Sequence, residues 1–152
     1  MKTLSKLGLL FFSVLYVLGV AADTREVSNI AYFVTIDDGN EITVPNGGQV
    51  TVGIRSHANV VDKVTGEDFS QWCVGEAGTD TGAGYCTLVA DNGDALWVSY
   101  VFMPGEEGSS WTIMGGTGQY AGATGSGTTS NVSERGDGRA WTSKSVGTLT
   151  TK

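Results

Sequence analysis

Several groupings in this chain have the residue types that chemistry needs, so their spacing decides what each can do. His57, the only histidine, stands in Arg55-Ser56-His57-Ala58-Asn59. A histidine base works on a nucleophile within hydrogen-bond reach and is itself oriented by a third group. No Gly-x-Ser-x-Gly elbow presents a serine for that role, so His57 is read as a surface or strand-end residue. Paired carboxylates occur at Asp37-Asp38, Glu67-Asp68 and Glu106-Glu107, and two carboxylates can divide acid and base roles as in glycosidases. Each pair touches a glycine turn signal, and neighbours on an extended strand point to opposite faces; solvated turns are expected. Glu67 and Asp68 are retained as catalytic candidates because Phe69-Ser70-Gln71-Trp72 follows and can carry one carboxylate to a cavity mouth. Glu76 and Tyr100 are the other ionisable candidates. Asp91-Asn92-Gly93-Asp94 suggests calcium but lacks the distal glutamate of a calcium loop, whereas Asn-Gly suits a tight hairpin turn. Asn131-Val132-Ser133 matches the N-glycosylation acceptor, a pattern short enough to recur by chance.

Two cysteines and one histidine do not make a four-ligand zinc site without carboxylates, and neither metal nor cofactor is expected. Gly116-Thr117-Gly118-Gln119-Tyr120-Ala121 fits a dinucleotide GxGxxA, but that turn must open a helix, and Gly122, Gly125 and Gly127 oppose one. Gly122 to Gly127 followed by Thr128 has P-loop spacing without the phosphate-binding lysine. Both nucleotide readings fail. The remaining reading is structural: Gly115, Gly116, Gly118, Gly122, Gly125 and Gly127 let a strand bend or bulge at a barrel corner.

The elements that position these residues follow a short leader. Lys2 and Lys6 precede an apolar stretch from Leu7 to Val20 that ends in Ala21-Ala22, the pattern of a secretory signal peptide. This implies a leader over 1–22, a single domain over 23–152, a secreted or periplasmic location, and no membrane insertion after cleavage. Cys73 and Cys86, the only cysteines, are then expected to pair in an oxidising compartment. The bridge would tie the base of a flexible loop over the Gly-, Thr- and Asp-rich residues 74–85 and contribute about 3 kcal/mol. The formal charge is −7 and becomes more negative without Lys2 and Lys6. Such acidity argues against nucleic acid and anionic membranes.

Twenty-three glycines among 152 residues, spread along the chain, work against long helices, each interior glycine costing about 1 kcal/mol relative to alanine. Runs rich in Val, Ile, Thr and aromatics predict strands at 30–36, 49–56, 69–74, 84–90, 95–103, 110–114, 124–130 and 139–150. About eight strands joined by short turns give an antiparallel sandwich or a closed barrel. The hairpin across Asp91-Asn92-Gly93-Asp94 has the best-specified register.

The run Gly115-Gly116-Thr117-Gly118-Gln119-Tyr120-Ala121-Gly122-Ala123-Thr124-Gly125-Ser126-Gly127-Thr128, after a Trp-containing strand, resembles the glycine signature of allene oxide cyclase and dirigent-like β-barrels. Gly84-Tyr85-Cys86 and Asp91-Asn92-Gly93-Asp94 resemble segments of secreted bacterial members. The likeness covers 84–128 well, 137–141 moderately and 23–70 hardly at all. It implies an all-β, eight-stranded antiparallel closed barrel, calycin-like, with an apolar lumen and often a homotrimeric assembly. Plant allene oxide cyclases close a fatty-acid epoxide and dirigent proteins bias phenoxy-radical coupling, but the matched residues are scaffold glycines and transfer no activity.

The run 96–103 is apolar on both alternating faces, which suits a strand lining a lumen and covered outside, for example by a second copy. Tyr32, Trp72, Trp97, Tyr100 and Trp111 are therefore expected to line a cavity for a small apolar ligand. Two other classes compete with non-catalytic binding: a cyclase or isomerase that confines an unsaturated substrate, and a structural or interaction module.

Overall fold

In a computed structural model, residues 22–78, 81–102 and 108–152 are described; the leader expected over 1–22 falls almost wholly outside them. The described chain forms nine antiparallel strands. These are β1 (Asp23–Asp37), β2 (Asn40–Thr43), β3 (Gln49–Asp62), β4 (Asp68–Gly78), β5 (Gly82–Ala90), β6 (Ala95–Phe102), β7 (Ser109–Gly116), β8 (Thr124–Arg135) and β9 (Ala140–Thr151). Neighbours in sequence pair from β2 through β9, β9 pairs with β1, and β1 pairs with β3 to close the ring. Eight strands form the wall, and β2 continues along the β3 edge beyond the point where β1 leaves it. The eight-stranded closed antiparallel barrel is the fold the sequence implies; β2 is the extra strand.

All eight expected strands are present, and most are longer than their apolar runs. The clearest case is β1, which begins seven residues before Ile30, at Asp23, and pairs with β9 along its length from Asp23↔Thr151 to Val34↔Ala140. Its early residues alternate polar side chains outward with Arg25, Val27 and Asn29 inward, so backbone pairing rather than apolar content holds them. Likewise β3 runs past Ser56 because Ala58, Val60 and Asp62 keep the inward alternation, and all three are buried.

The stretch 74–85 is where expectation and fold differ most. Its described residues up to Gly78 continue β4 and those from Gly82 belong to β5, so most of the expected loop is sheet, and Cys73↔Cys86 are direct register partners. The disulfide therefore clamps two adjacent strands on the inner wall. Glycine misled here because its role is steric. A side chain at Gly84 would run into Val74 O and the Tyr100 phenol, and one at Gly82 would meet the Phe102 ring. The two rings of β6 thus lie across a bare backbone. Trp111 does the same over Gly127 and Gly147.

The Gly115–Gly127 run is likewise not one bent piece of sheet. It comprises the end of β7, a 3-10 turn at Gly118–Tyr120 and the start of β8. Gly118 (φ 54°) and Gly122 (φ 71°) take the left-handed backbone that this turn requires. The turn lets Tyr120 plug one end of the barrel. Tyr120 packs against Phe69 with ring centroids 6.1 Å apart and joins a core with Leu88, Leu96, Ile113, Ala123 and Leu149. The Asn92-Gly93 hairpin has the expected register, Leu88↔Leu96 and Val89↔Ala95, with Gly93 N donating to Ala90 O at 2.9 Å.

Candidate functional site

Above the plug the barrel encloses a cavity of about 380 Å³, within the range of about 300–1,000 Å³ typical of small-molecule sites. Strand alternation decides its lining, because one side chain in two points inward. The side of the wall made by β4 to β7 is mainly apolar and aromatic: Phe69, the Cys73–Cys86 disulfide, Leu88, Val98, Tyr100 and Phe102 face the space, with Gln71 and Ser109 among them. Tyr100 and Phe102 stack with centroids 6.3 Å apart. Burial pushes the Tyr100 phenol above its ordinary pKa, so it stays a neutral hydroxyl at physiological pH. Across the cavity, Phe33 and Trp141 stack at 4.8 Å and 3° and form part of the lining where it reaches the exposed Asn131.

The opposite side, from β1, β8 and β9, is mixed: Val27, Ala31, Phe33, Trp141 and Leu149 are apolar, and a group of polar side chains stands among them. Asn29, Thr129, Asn131, Ser143 and Ser145 line it, and Thr129 Oγ1 and Ser145 Oγ share a hydrogen bond of 2.7 Å. Among the described residues three buried side-chain atoms find no hydrogen-bond partner: Asn29 Oδ1, Trp111 Nε1 and Ser143 Oγ. All three belong to residues that line this cavity. An unpaired buried polar group costs about 1–3 kcal/mol, so one cavity gathering all of them has the makings of a binding site.

At the plugged end an ion pair borders the same space. Arg25 Nη1 donates to Asp62 Oδ2 at 2.5 Å, with the Asp62 side chain only 2% exposed. Val64 N donates to Asp62 Oδ1 at 2.9 Å, so the carboxylate also shapes the turn into β4. Sequence reading missed both residues. Their signal was positional: each sits at an inward place in a strand, where a charge needs a partner.

The expected site residues separate sharply. Tyr100 and Trp111 line the cavity. Tyr32, Trp72 and Trp97 do not; they are on the outer face, 57%, 55% and 45% exposed, because their alternation parity is that of the outward side chains. Glu67 is bound into the plug, where it accepts from the Tyr120 hydroxyl at 2.6 Å and from Gln119 Nε2 at 3.1 Å. Asp68 is exposed, beside a shallow recess with Asn59, Ser70 and Asp91, and Glu76 is exposed on β4. None of the three carboxylates lines the lumen. His57 is half-buried in the middle of β3 rather than at a strand end, and shares a hydrogen bond of 2.9 Å with Ser70 Oγ.

Known structures share this architecture. The chain is similar to the pterocarpan synthase dirigent protein PsPTS1, with a TM-score of 0.59, 12% identity, and coverage of 85% of this chain and 96% of that one. It is also similar to the pterocarpan synthase dirigent protein GePTS1, with a TM-score of 0.57, 11% identity and 86% of each chain covered. No family model matches the sequence, and no curated protein matches it. At such identities the likeness establishes the dirigent-like barrel fold and nothing finer.

Proposed function

We propose that this protein is a secreted barrel that holds a small, mostly apolar molecule in its lumen, its few polar groups oriented by Asn29, Trp111 and Ser143. The carrying observation is a largely apolar cavity of about 380 Å³ whose lining residues include Asn29, Trp111 and Ser143, each with a buried polar side-chain atom that has no partner. An indole N–H only donates and an amide oxygen only accepts, so the three together suit a ligand that offers both an acceptor and a donor. A disulfide on the lumen wall suits an oxidising destination.

Native mass spectrometry and organic extraction of the purified protein test this reading, together with titration of an apolar fluorescent probe. The expected result is a copurified small molecule, or saturable probe uptake that Trp111→Phe and Ser143→Ala weaken. A protein that neither carries nor takes up any apolar molecule overturns it.

One observation favours a second reading, a cyclase or isomerase acting by confinement. The solved structures of this fold include proteins described as pterocarpan synthases, and here the neutral Tyr100 hydroxyl and the Asp62–Arg25 pair line the cavity. Turnover that Tyr100→Phe abolishes while probe binding persists distinguishes catalysis from carriage.

A further inference from the structure

The outward side chains of β3 to β6 form a second place where aromatic residues gather, and the lumen ligand does not account for it. Pairing places His57, Trp72, Thr87 and Trp97 side by side in one row across four strands. Tyr85 stands two residues along β5, in the adjoining row with Val74 and Ser99. Trp72, Tyr85 and Trp97 therefore surround Thr87, and they are 55%, 60% and 45% exposed. The His57 ring lies 4.5 Å from the Trp72 ring at 49° and is held by Ser70. Trp72 is thus braced from one side while more than half of it meets solvent.

From this arrangement we infer that the outer wall of β3 to β6 is a binding platform for an uncharged glycan chain. Charge is the first argument. The chain carries −7, yet within these rows the one formally charged side chain is Arg55, which is paired with Asp37 at 2.7 Å. Glu76 stands exposed one row further along β4, so the aromatic rows themselves carry no unpaired charge, which fits a neutral partner.

Area is the second argument. Trp72, Tyr85 and Trp97, each about half exposed, offer roughly 300–400 Å² if an aromatic side chain presents up to about 250 Å². That matches the ~300–600 Å² of the largest, often functional patch on a monomer. It falls short of the ~800 Å² per partner that a stable protein interface covers, so a second copy of this chain fits less well than a narrow ligand.

Geometry is the third argument. Strands lie about 4.8 Å apart, so Trp72 and Trp97, two strands apart, are separated by roughly 10 Å. Rings two residues apart in an extended sugar chain are separated by about that distance, with Thr87, Ser99 and Ser70 between and beside the indoles to meet the hydroxyls of the intervening residue. The negative face of an aromatic ring suits the weakly positive C–H face of a pyranose, and the bracing of Trp72 limits the ordering cost on binding.

The test is retention of the purified protein in affinity gels containing mixed-linkage β-glucan, xylan or galactomannan, with polygalacturonate as the charged control, and titration with cellohexaose followed by tryptophan fluorescence. We expect retardation by at least one neutral glycan, none by polygalacturonate, and at least a tenfold loss of affinity in Trp72→Ala/Trp97→Ala. Trp72→Phe should retain most binding, and Thr148→Ala on the opposite wall should change nothing. The inference is overturned if no neutral glycan retards the protein, if binding survives the double variant, or if sedimentation shows a stable oligomer that Trp97→Ala dissociates. Uptake of the apolar probe into the lumen should be the same in all these variants, which separates this platform from the cavity.

Discussion

The two ends of the barrel use the same residue types to opposite effect. At the plugged end the 3-10 turn carries Tyr120 inward against Phe69, Glu67 accepts its hydroxyl, and the surrounding Leu88, Leu96, Ala123 and Leu149 are buried. Every polar side chain named there has a partner. Away from the plug Tyr100, Phe102 and Trp111 lie over glycines instead of interlocking, and Trp111 Nε1 and Ser143 Oγ are left unpaired. The difference teaches that the wall is stabilised from one end and left hollow at the other. Variants at the plug should move stability, and variants in the hollow should move ligand affinity.

The largest effect should test the assumption behind the hollow, that rings rest on bare backbone. Gly127→Val places a side chain into Val146 O and the Trp111 ring, and should cost about 3 kcal/mol or more in urea unfolding and abolish probe uptake. A mild effect would mean that the wall yields and the hollow is not defined by its glycines. Arg25→Leu leaves the buried Asp62 carboxylate without its cation and should cost about 3 kcal/mol, with Arg25→Lys recovering part. Reduction of Cys73–Cys86, 13 residues apart, should cost about 3 kcal/mol or somewhat less, read as a lower melting temperature with a dithiol present.

Ser143→Ala should weaken ligand binding by roughly fivefold, the worth of one hydrogen bond of about 1 kcal/mol, and leave stability unchanged or slightly raised. A clear loss of stability would place Ser143 with the plug and break the comparison. The smallest effect is expected from Tyr120→Phe. Burial first, then the Glu67 hydrogen bond, holds the Tyr120 phenol above its ordinary value of 10.0. Because the folded state keeps this proton more tightly than the unfolded chain, the resulting stability is fully present below pH 10 and is lost as pH rises through the folded value. The gap between wild type and Tyr120→Phe, about 1 kcal/mol near neutrality, should therefore narrow in alkaline unfolding measurements.

The sequence made the wall legible and the direction of its side chains much less so. Strand content, hairpin register and barrel closure follow from β-branched runs, Asn92-Gly93 and the glycine signature. The facing of Trp72 and Trp97 depends on parity, and parity cannot be read without knowing which residue of a strand starts inward. In β6 the whole run from Leu96 to Phe102 gives no polar residue inward to contrast with the outward Ser99, so alternation alone left Trp97 undecided. Glycines in 74–85 read as loop because their partners, Tyr100 and Phe102, lie on another strand. Asp62 and Arg25 were missed for a related reason: their signal is their inward place in a strand, and the pairing that gives it meaning joins residues 37 apart.

The seam between β1 and β9 has a bearing on how the chain acquires its shape. Asp23 lies opposite Thr151, and β9 also holds β8, so the first strand made waits for the last 12-residue strand before its second edge is covered. A chain emerging from its amino end can build a curved, open sheet but not a tube, and its exposed border is a pairing hazard throughout that interval. Loss of only the final strand would thus leave two raw edges rather than a shorter barrel.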